Sequence, residues 1–330
     1  MKKLYLFLLV FFAVLSLYGS DLNITVIHTN DIHGQSHPFD YRGLKNYGGA
    51  ARRATLINDI RKEVKNRVFL FDIGDISGRG EYENYYGQPE IKLMNYLKYD
   101  AMTLGNAEYK LDRFEKDQGP RAIDIIHKRV KEAKFPCLCA NVYNNKTGKR
   151  EFLPYVIFEE KGVRIACVGM TTLKCRTYPQ TVNLTFTDPA QEWKKVLEEL
   201  KGKYDFLIFM SHLGDLADVA LAKLYTEIDM VIQGDFHTFL DKPMEIDRGD
   251  HKCIICQTGE LGICVGRCDL TIDEKTHKIK NYDYRLIPVT NKYKDDEEVN
   301  RILSNYRIMD NFSTVIASSQ PLPPSLGEKK

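Results

Sequence analysis

Five short segments of the sequence each end an apolar run with Asp, Asn, Glu or His. Carboxylate, amide and imidazole groups together suit a divalent ion such as Mg, Mn, Fe or Zn. One such segment is weak evidence, because a polar residue after a strand usually caps a helix or lies in a loop. Five of one layout favour a metal centre: "VIHTNDIHG" (Asp31, His33), "LFDIGD" (Asp72, Asp75), "MTLGNAE" (Asn106, Glu108), "FMSHLGD" (His212, Asp215) and "IQGDFHT" (Asp235, His237).

Asp31 and His33 stand two positions apart in the first segment. In an extended chain, side chains two apart point the same way. We therefore expect a two-ligand claw on an extended backbone. Glycines beside the polar residues, such as Gly34 and Gly105, allow tight turns and close backbone approach.

The elements that must position these groups alternate along the first two thirds of the chain. Apolar runs rich in Val, Ile, Phe and Leu predict strands. Apolar stripes at helical spacing predict helices at about 49–64, 119–134, 189–200 and 215–225, with a last helix at 296–309. The region 250–290 contains strands only, as in hairpins. This mixture predicts a layered α/β domain with mixed sheets, in which sites form beyond the carboxyl ends of strands.

The motifs resemble a known family over about residues 23–315. They are "HTNDIHGQ", "YGGAARRATLI", "GQPEIKLMNYLKYDAMTLGN", "ANV", "GMTT", "SHLGD" and "QTGELG". Together they are similar to the calcineurin-like metallophosphoesterases, and more closely to the N-terminal domain of the bacterial 5′-nucleotidase/UDP-sugar hydrolase family. The resemblance implies a four-layer αββα sandwich, in which helices flank two mixed β-sheets. It also implies two divalent metal ions (Mn, Mg, Zn or Fe) at one edge.

The same resemblance implies the ligands of both ions. Asp75 would bridge them, and Asp75 and Asn106 would be catalytic. The first ion would be held by Asp31, His33, Asp75 and His237, and the second by Asp75, Asn106, His212 and Asp235.

The chain departs from the family pattern at three positions: Ala107 replaces a histidine, Lys110 replaces the acidic partner of that histidine, and Asp235 replaces a histidine ligand. Losing the histidine removes a contribution of roughly 10²–10⁴ in rate. We therefore expect substrates whose leaving group needs no proton. Asp235 either favours Mn or Mg, or turns away and leaves one ion. Lys110 is either a surface lysine, which we prefer, or a cation near phosphate.

The resemblance implies a metal-dependent phosphohydrolase of nucleotide catabolism, in which a metal-bridging hydroxide attacks phosphorus. Its substrates would be nucleotides or other small phosphate esters or anhydrides. The alternative is a catalytically impaired relative that binds metal or a phosphorylated ligand without turnover. Sulfur-ester hydrolysis, known in a related branch, has no specific residue here to support it.

The sequence divides into three predicted parts. Residues 1–20 have the basic, apolar and small-residue pattern of a signal peptide, with an uncleaved anchor as the alternative. Residues 21–312 form the metallophosphoesterase domain, and 313–330 form a linker-like tail. We expect a periplasmic or secreted protein without a membrane span after signal removal. A separate partner could replace the C-terminal domain of full-length relatives. Tyr82, Tyr85 and Tyr86 form either an aromatic platform or a surface loop.

Charge and cysteine content limit the other function classes. Without Lys2 and Lys3, 45 basic and 45 acidic side chains remain, which argues against a nucleic-acid polymer as partner. The eight cysteines are small buried hydrophobes, disulfide partners or, least favoured, a zinc ribbon. A bridge from Cys256 to Cys264 would fit a hairpin between them. Five histidines outside the motifs are expected in loops or on the surface: His28, His37, His127, His251 and His277.

Overall fold

A computed structural model describes residues 21–110, 121–310, 312–314, 316 and 319–326. The predicted signal peptide lies outside this range. Among the described residues, no helix is both long enough and apolar enough to cross a membrane.

Two six-stranded mixed sheets form the centre of the described part of the chain. In the first sheet, four neighbouring strands run parallel to one another, and two further strands, each antiparallel to its neighbour, extend one edge. Numbered along the chain, its order is β16 (Ile279–Pro288), β15 (Cys264–Ile272), β1 (Leu22–Thr29), β4 (Arg67–Asp72), β5 (Ala101–Thr103) and β6 (Cys137–Leu138).

The second sheet has four parallel strands between two antiparallel edge strands. Its order is β13 (Met244–Asp247), β14 (Lys252–Cys256), β12 (Met230–Gln233), β11 (Phe206–His212), β9 (Val163–Thr171) and β8 (Tyr155–Glu160). Two small ribbons complete the strands described: β2 (Phe39–Tyr41) with β3 (Leu44–Tyr47), and β7 (Val142–Asn144) with β10 (Leu184–Phe186).

Helices cover the outer face of each sheet, so the predicted four-layer αββα sandwich is confirmed. One apolar core lies between the sheets, and one lies under each helical layer. The first sheet is covered by α1 (Ala50–Glu63), α2 (Gln88–Leu97), α3 (Arg121–Glu132) and α6 (Glu297–Leu303), and the second by α4 (Pro189–Leu200) and α5 (Asp215–Leu224).

The helix α4 shows how local sequence produces these layers. Asp188 accepts a hydrogen bond from the backbone N–H of Gln191, and Pro189 occupies the first turn, where it needs no N–H partner. Trp193, Val196 and Leu200 follow at helical spacing and are fully buried against the second sheet.

The structure differs from the expectations at several points. The helix α2 was not predicted, and the last helix ends at Leu303 rather than near residue 309. The strands β14 and β15 belong to different sheets, so the predicted hairpin is wrong. All eight cysteines are free and buried, as small hydrophobes would be. His28 lies fully buried on β1 and not on the surface, because its ring packs against Gly266 and Tyr284.

The tyrosine segment packs as part of the fold. Tyr82 is buried, and the rings of Tyr82 and Tyr85 both contact Tyr306, whose centroid lies 4.8 Å from that of Tyr85. None of the three lines the cleft described below. These contacts favour a structural role over an aromatic platform.

Candidate metal centre

Five strands from both sheets end at one place. Asp31 follows β1, Asp75 follows β4, Asn106 follows β5, and Asp235 follows β12, while His212 is the last residue of β11. These strands are parallel to their neighbours within each sheet, so their carboxyl ends meet at the same edge.

A first group of ligand atoms consists of Asp31, His33 and His237. The His33 Nε2 lies 3.9 Å from Asp31 Oδ1 and 3.3 Å from His237 Nε2. The His237 Nε2 lies 3.4 Å from the same Asp31 oxygen. One carboxylate oxygen and two imidazole nitrogens thus face a common point.

A second group consists of Asp31, Asp75 and His212. The His212 Nε2 lies 3.3 Å from Asp75 Oδ1 and 3.9 Å from Asp31 Oδ1. The other Asp75 oxygen lies 3.7 Å from His33 Nε2. Both carboxylates therefore touch both groups.

The loops that carry these side chains are held in an uncommon backbone conformation. Asp31 and His33 have φ of 50° and 51°, and Asp75, Asp235 and His237 have φ of 53°, 76° and 56°. Such left-handed conformations are costly for residues other than glycine, and they concentrate at functional sites. The expectation of an extended Asp31–His33 segment is therefore wrong, although both side chains reach the same point.

Neighbouring groups fix the orientation of the ligand atoms. The His237 Nδ1 lies 2.9 Å from Glu260 Oε2, which leaves Nε2 directed at Asp31. The Asn30 amide donates to Asp31 Oδ2 at 2.8 Å, and the His212 Nδ1 faces the carbonyl oxygen of Ile73. Carboxylate or carbonyl partners on the far nitrogen are typical of metal-binding imidazoles.

Asn106 and Asp235 contact each other. With the Asn106 amide oriented so that its oxygen faces the Ala107 N–H, its nitrogen donates to Asp235 Oδ1 at 3.0 Å. The Lys174 ammonium lies 2.9 Å and 2.7 Å from the two Asp235 oxygens. Asp235 therefore lies at the cleft beside the other predicted ligands, but it forms an ion pair with Lys174.

Burial and neighbouring charge act in opposite directions on the titratable groups. Burial raises the pKa of Asp75, but His212 and His33 outweigh it and hold that pKa well below its usual range. Burial lowers the pKa of His237, but Asp31 and Glu260 together raise it to about 10. The pKa of His212 is likewise raised, by Asp75 and Asp31 against burial. Positive charge on His212 and His237 thus compensates the buried carboxylates.

The residues fit divalent metal. The His212 Nε2 is buried and lies 3.3 Å from an Asp75 oxygen and 3.9 Å from an Asp31 oxygen. In each of the two groups, the carboxylate and imidazole atoms lie within 4.8 Å of one another, close enough to share one ion. Mixed carboxylate and imidazole ligands suit Mn, Fe or Zn.

A cleft of about 290 Å³ opens onto this centre. Besides predicted ligands, it is lined by Ala107 and three cations, Arg79, Lys110 and Lys174. The sequence motifs indicated neither Arg79 nor Lys174 as site residues, and they indicated no role for Glu260. Arg79 follows the Asp75 loop in "GDISGRG" and Lys174 follows the end of β9 in "GMTTLK", but a basic residue in a loop does not indicate its direction.

Comparisons with known proteins agree with this geometry. The chain matches the family described as calcineurin-like phosphoesterase over residues 24–239. It is 33% identical over 305 residues to a 5′-nucleotidase of Vibrio cholerae, covering 82% of this chain and 52% of that protein. It is 31% identical to the protein UshA of Escherichia coli, covering 87% of this chain and 56% of that one. The chain thus spans about half the length of these curated relatives.

Solved structures show the same architecture. A 5′-nucleotidase precursor from Thermus thermophilus superimposes with a TM-score of 0.76 at 26% identity, over 86% of this chain and 58% of that chain. The calcineurin-like phosphoesterase YfkN from Bacillus subtilis superimposes with a TM-score of 0.70 at 22% identity, over 86% of this chain and 96% of that chain. With the matched family spanning both candidate ligand groups, the chain belongs to the calcineurin-like phosphoesterase family.

Proposed function

We propose that the protein is a periplasmic or secreted metal-dependent phosphohydrolase acting on nucleotides or other small phosphate esters or anhydrides. The observation that carries the proposal is the convergence of Asp31, His33, Asp75, His212 and His237, of which His33, Asp75 and His237 line one cleft. The 5′-nucleotidase relatives support nucleotides as the substrate class, and the signal-like residues 1–20 support export.

Two divalent ions would be held here, one by Asp31, His33, Asp75 and His237 and one by Asp75, Asn106, His212 and Asp235. Such a pair supplies Lewis-acid activation of a phosphoryl oxygen and a hydroxide at neutral pH. Asp75 contacts both ligand groups, as a bridging residue must, and Asp31 does so as well.

The side chain at position 107 provides no proton donor for the leaving group. The Ala107 N–H donates to Asp75 Oδ1 at 2.6 Å and helps to fix that carboxylate, but the Ala107 side chain has no proton to give. Substrates whose leaving oxygen is stable without a proton, such as phosphoanhydrides, should therefore react fastest.

One observation favours the alternative of an impaired relative. Because Lys174 occupies both oxygens of Asp235, one proposed ligand is neutralised before any second ion arrives. The impaired relative would bind metal or a phosphorylated ligand without turnover. A separate partner protein could then provide the substrate contacts that the C-terminal domain makes in full-length relatives.

The test uses residues 21–330 loaded with Mn. Nucleoside mono-, di- and triphosphates, UDP-sugars and an aryl phosphodiester are assayed beside an Asp75→Ala control. We expect turnover of at least one nucleotide well above the control. Equal rates for wild type and control on every substrate would contradict the proposed function, and tight binding without turnover would support the alternative.

A further inference from the structure

Two cations that line the cleft lack acidic partners among the described residues. Lys174 pairs with Asp235, whereas no carboxylate in the described part of the chain lies within ion-pair distance of Arg79 or Lys110. Both are half-buried. Both line the cleft that opens onto the candidate metal ligands, and positive charge concentrated in such a cleft favours an anionic ligand.

Arg79 is placed by close backbone packing beside the metal loop. A Cβ at Gly80 would lie 2.1 Å from the carbonyl oxygen of Gly34, the residue after His33. On the other side of Arg79, a Cβ at Gly78 would lie 3.1 Å from the Ala107 methyl group. The backbone around Arg79 is thus packed against both the His33 loop and Ala107.

Lys110 is placed by a different contact. It ends the 3₁₀ turn Glu108–Lys110, which begins directly after Ala107. Its ammonium lies 3.9 Å from the centroid of the Tyr178 ring, a distance at which the ring face attracts a cation. Arg79 and Lys110 therefore both belong to segments that meet at Ala107, the position whose small side chain leaves room in the cleft.

On the basis of the function proposed above, we propose that Arg79 and Lys110 form an anion subsite for the leaving phosphoryl group, so that the preferred substrates contain a phosphoanhydride bond. A hydroxide ion adds to the terminal phosphorus, and the bond from that phosphorus to the bridging oxygen breaks. The bridging oxygen keeps the electron pair, and the two cations stabilise its charge. No proton donor is needed at position 107, and phosphate and a shorter phosphate ester are the products.

The test compares binding of two non-hydrolysable probes to Mn-loaded protein by titration calorimetry. Methylenediphosphonate carries two phosphoryl-like groups, and methylphosphonate carries one. We expect wild type to prefer the diphosphonate at least about tenfold, since charge-assisted hydrogen bonds are the strong ones. The double variant Arg79→Gln/Lys110→Gln should lose most of this preference but still bind methylphosphonate, which also shows that it is folded.

The matched control is Lys223→Gln, an exposed lysine on α5 that does not line the cleft. It should keep the wild-type preference within about twofold. The proposal is overturned if wild type shows no preference, if the double variant keeps it, or if the control loses it equally. Metal chelation by the probe affects all variants alike, so the comparison between proteins remains valid.

The subsite and the proposed function fail separately. ADP and AMP hydrolysis are measured on the same preparations. Absent turnover with an intact diphosphonate preference contradicts the hydrolase but supports the subsite. Turnover in which ADP and AMP lose activity equally in the double variant contradicts the subsite but leaves the hydrolase standing.

Discussion

At the scale of single residues, the proposed function predicts that Ala107, which stands where the family pattern has a histidine, limits the leaving groups that the site can use. Ala107 lines the cleft beside Gly78. Its backbone N–H already serves Asp75 and would continue to do so.

Restoring the proton donor should therefore raise activity on esters with poor leaving groups. We expect Ala107→His/Lys110→Asp to increase kcat/KM for AMP by about 10²-fold, the usual contribution of a general acid. ADP should gain little, because the same change removes Lys110 from the anion subsite. Steady-state kinetics on both substrates measure this, with Lys110→Asp alone as the control. An AMP gain in the control, or none in the double variant, would refute the explanation.

Glu260 provides a second prediction at this scale. Its Oε2 lies 2.9 Å from His237 Nδ1, and its Oε1 accepts a hydrogen bond from the Tyr41 hydroxyl. Such partners typically change metal affinity by about 10–100-fold. Glu260→Gln should weaken Mn binding within that range without unfolding the protein. Competition with a fluorescent chelator gives the affinity, and circular dichroism checks the fold. Unchanged affinity would show that Glu260 does not support a metal ligand.

At the scale of elements, the close contact between the loops after β4 and β5 determines the site. A Cβ at Gly74 would lie 2.3 Å from the backbone nitrogen of Gly105, and one at Gly105 would lie 2.2 Å from Asp75 Oδ1. This approach brings Asp75 against the turn that carries Asn106 and Ala107. Only glycine permits it.

Gly74→Ala should therefore cost more than its conformation alone explains. Gly74 has φ of +84°, and Gly202 has φ of +71° with no atom within 4 Å of a built Cβ. Gly202→Ala is thus a matched control that pays only the conformational cost, about 1–2 kcal/mol. For Gly74→Ala we expect roughly 2–5 kcal/mol, because overpacking adds to it. Urea denaturation measures both. If both variants lost the same free energy of unfolding, the loops after β4 and β5 would be able to separate at no energetic cost.

Much of the element order followed from sequence, and what did not follow has physical causes. Strand runs and the capped helix at Pro189–Leu200 carry local signals that tertiary structure did not override. The helix α2 was not predicted because Gly87 and Pro89 are residues typical of turns. Proline is nevertheless well suited to the first turn of a helix, where it lies here. The seven residues between β14 and β15 suggested a hairpin, but which sheet a strand joins depends on long-range pairing.

The site shows the same division. Strand-end positions predicted that Asp31, Asp75 and His212 converge, and the structure brings them together, while metal binding by them stays a prediction. The Lys174–Asp235 ion pair was not predictable, because it joins loops 61 residues apart that have no common motif.

At the scale of the whole molecule, several buried acids determine how stability depends on pH. Glu90 in α2 is nearly fully buried, and burial raises its pKa to about 8, assisted by the nearby charge of Glu81. A carboxyl group whose pKa is higher in the folded than in the unfolded state binds protons more tightly when folded. Its contribution to stability is complete below about pH 4.5 and is lost as the pH rises towards 8.

Glu90→Gln removes this titration while keeping the shape of the side chain. We expect the variant to exceed wild type in free energy of unfolding by about 1–3 kcal/mol at pH 8.5, and the difference to shrink as the pH falls towards 5. Urea titrations across this range test it. A difference that is constant with pH would show that Glu90 has the same pKa in the folded and the unfolded protein.

All eight thiols are buried within the layers of the sandwich, so their reactivity reports whether the folded layers have opened. A membrane-impermeant alkylating reagent would find nothing to modify while the layers stay closed, since burial also raises the pKa of each thiol whose titration is shifted, for example Cys167 and Cys268. Mass added over time would then count opening events, and mapping the labelled positions would reveal which layer comes apart first.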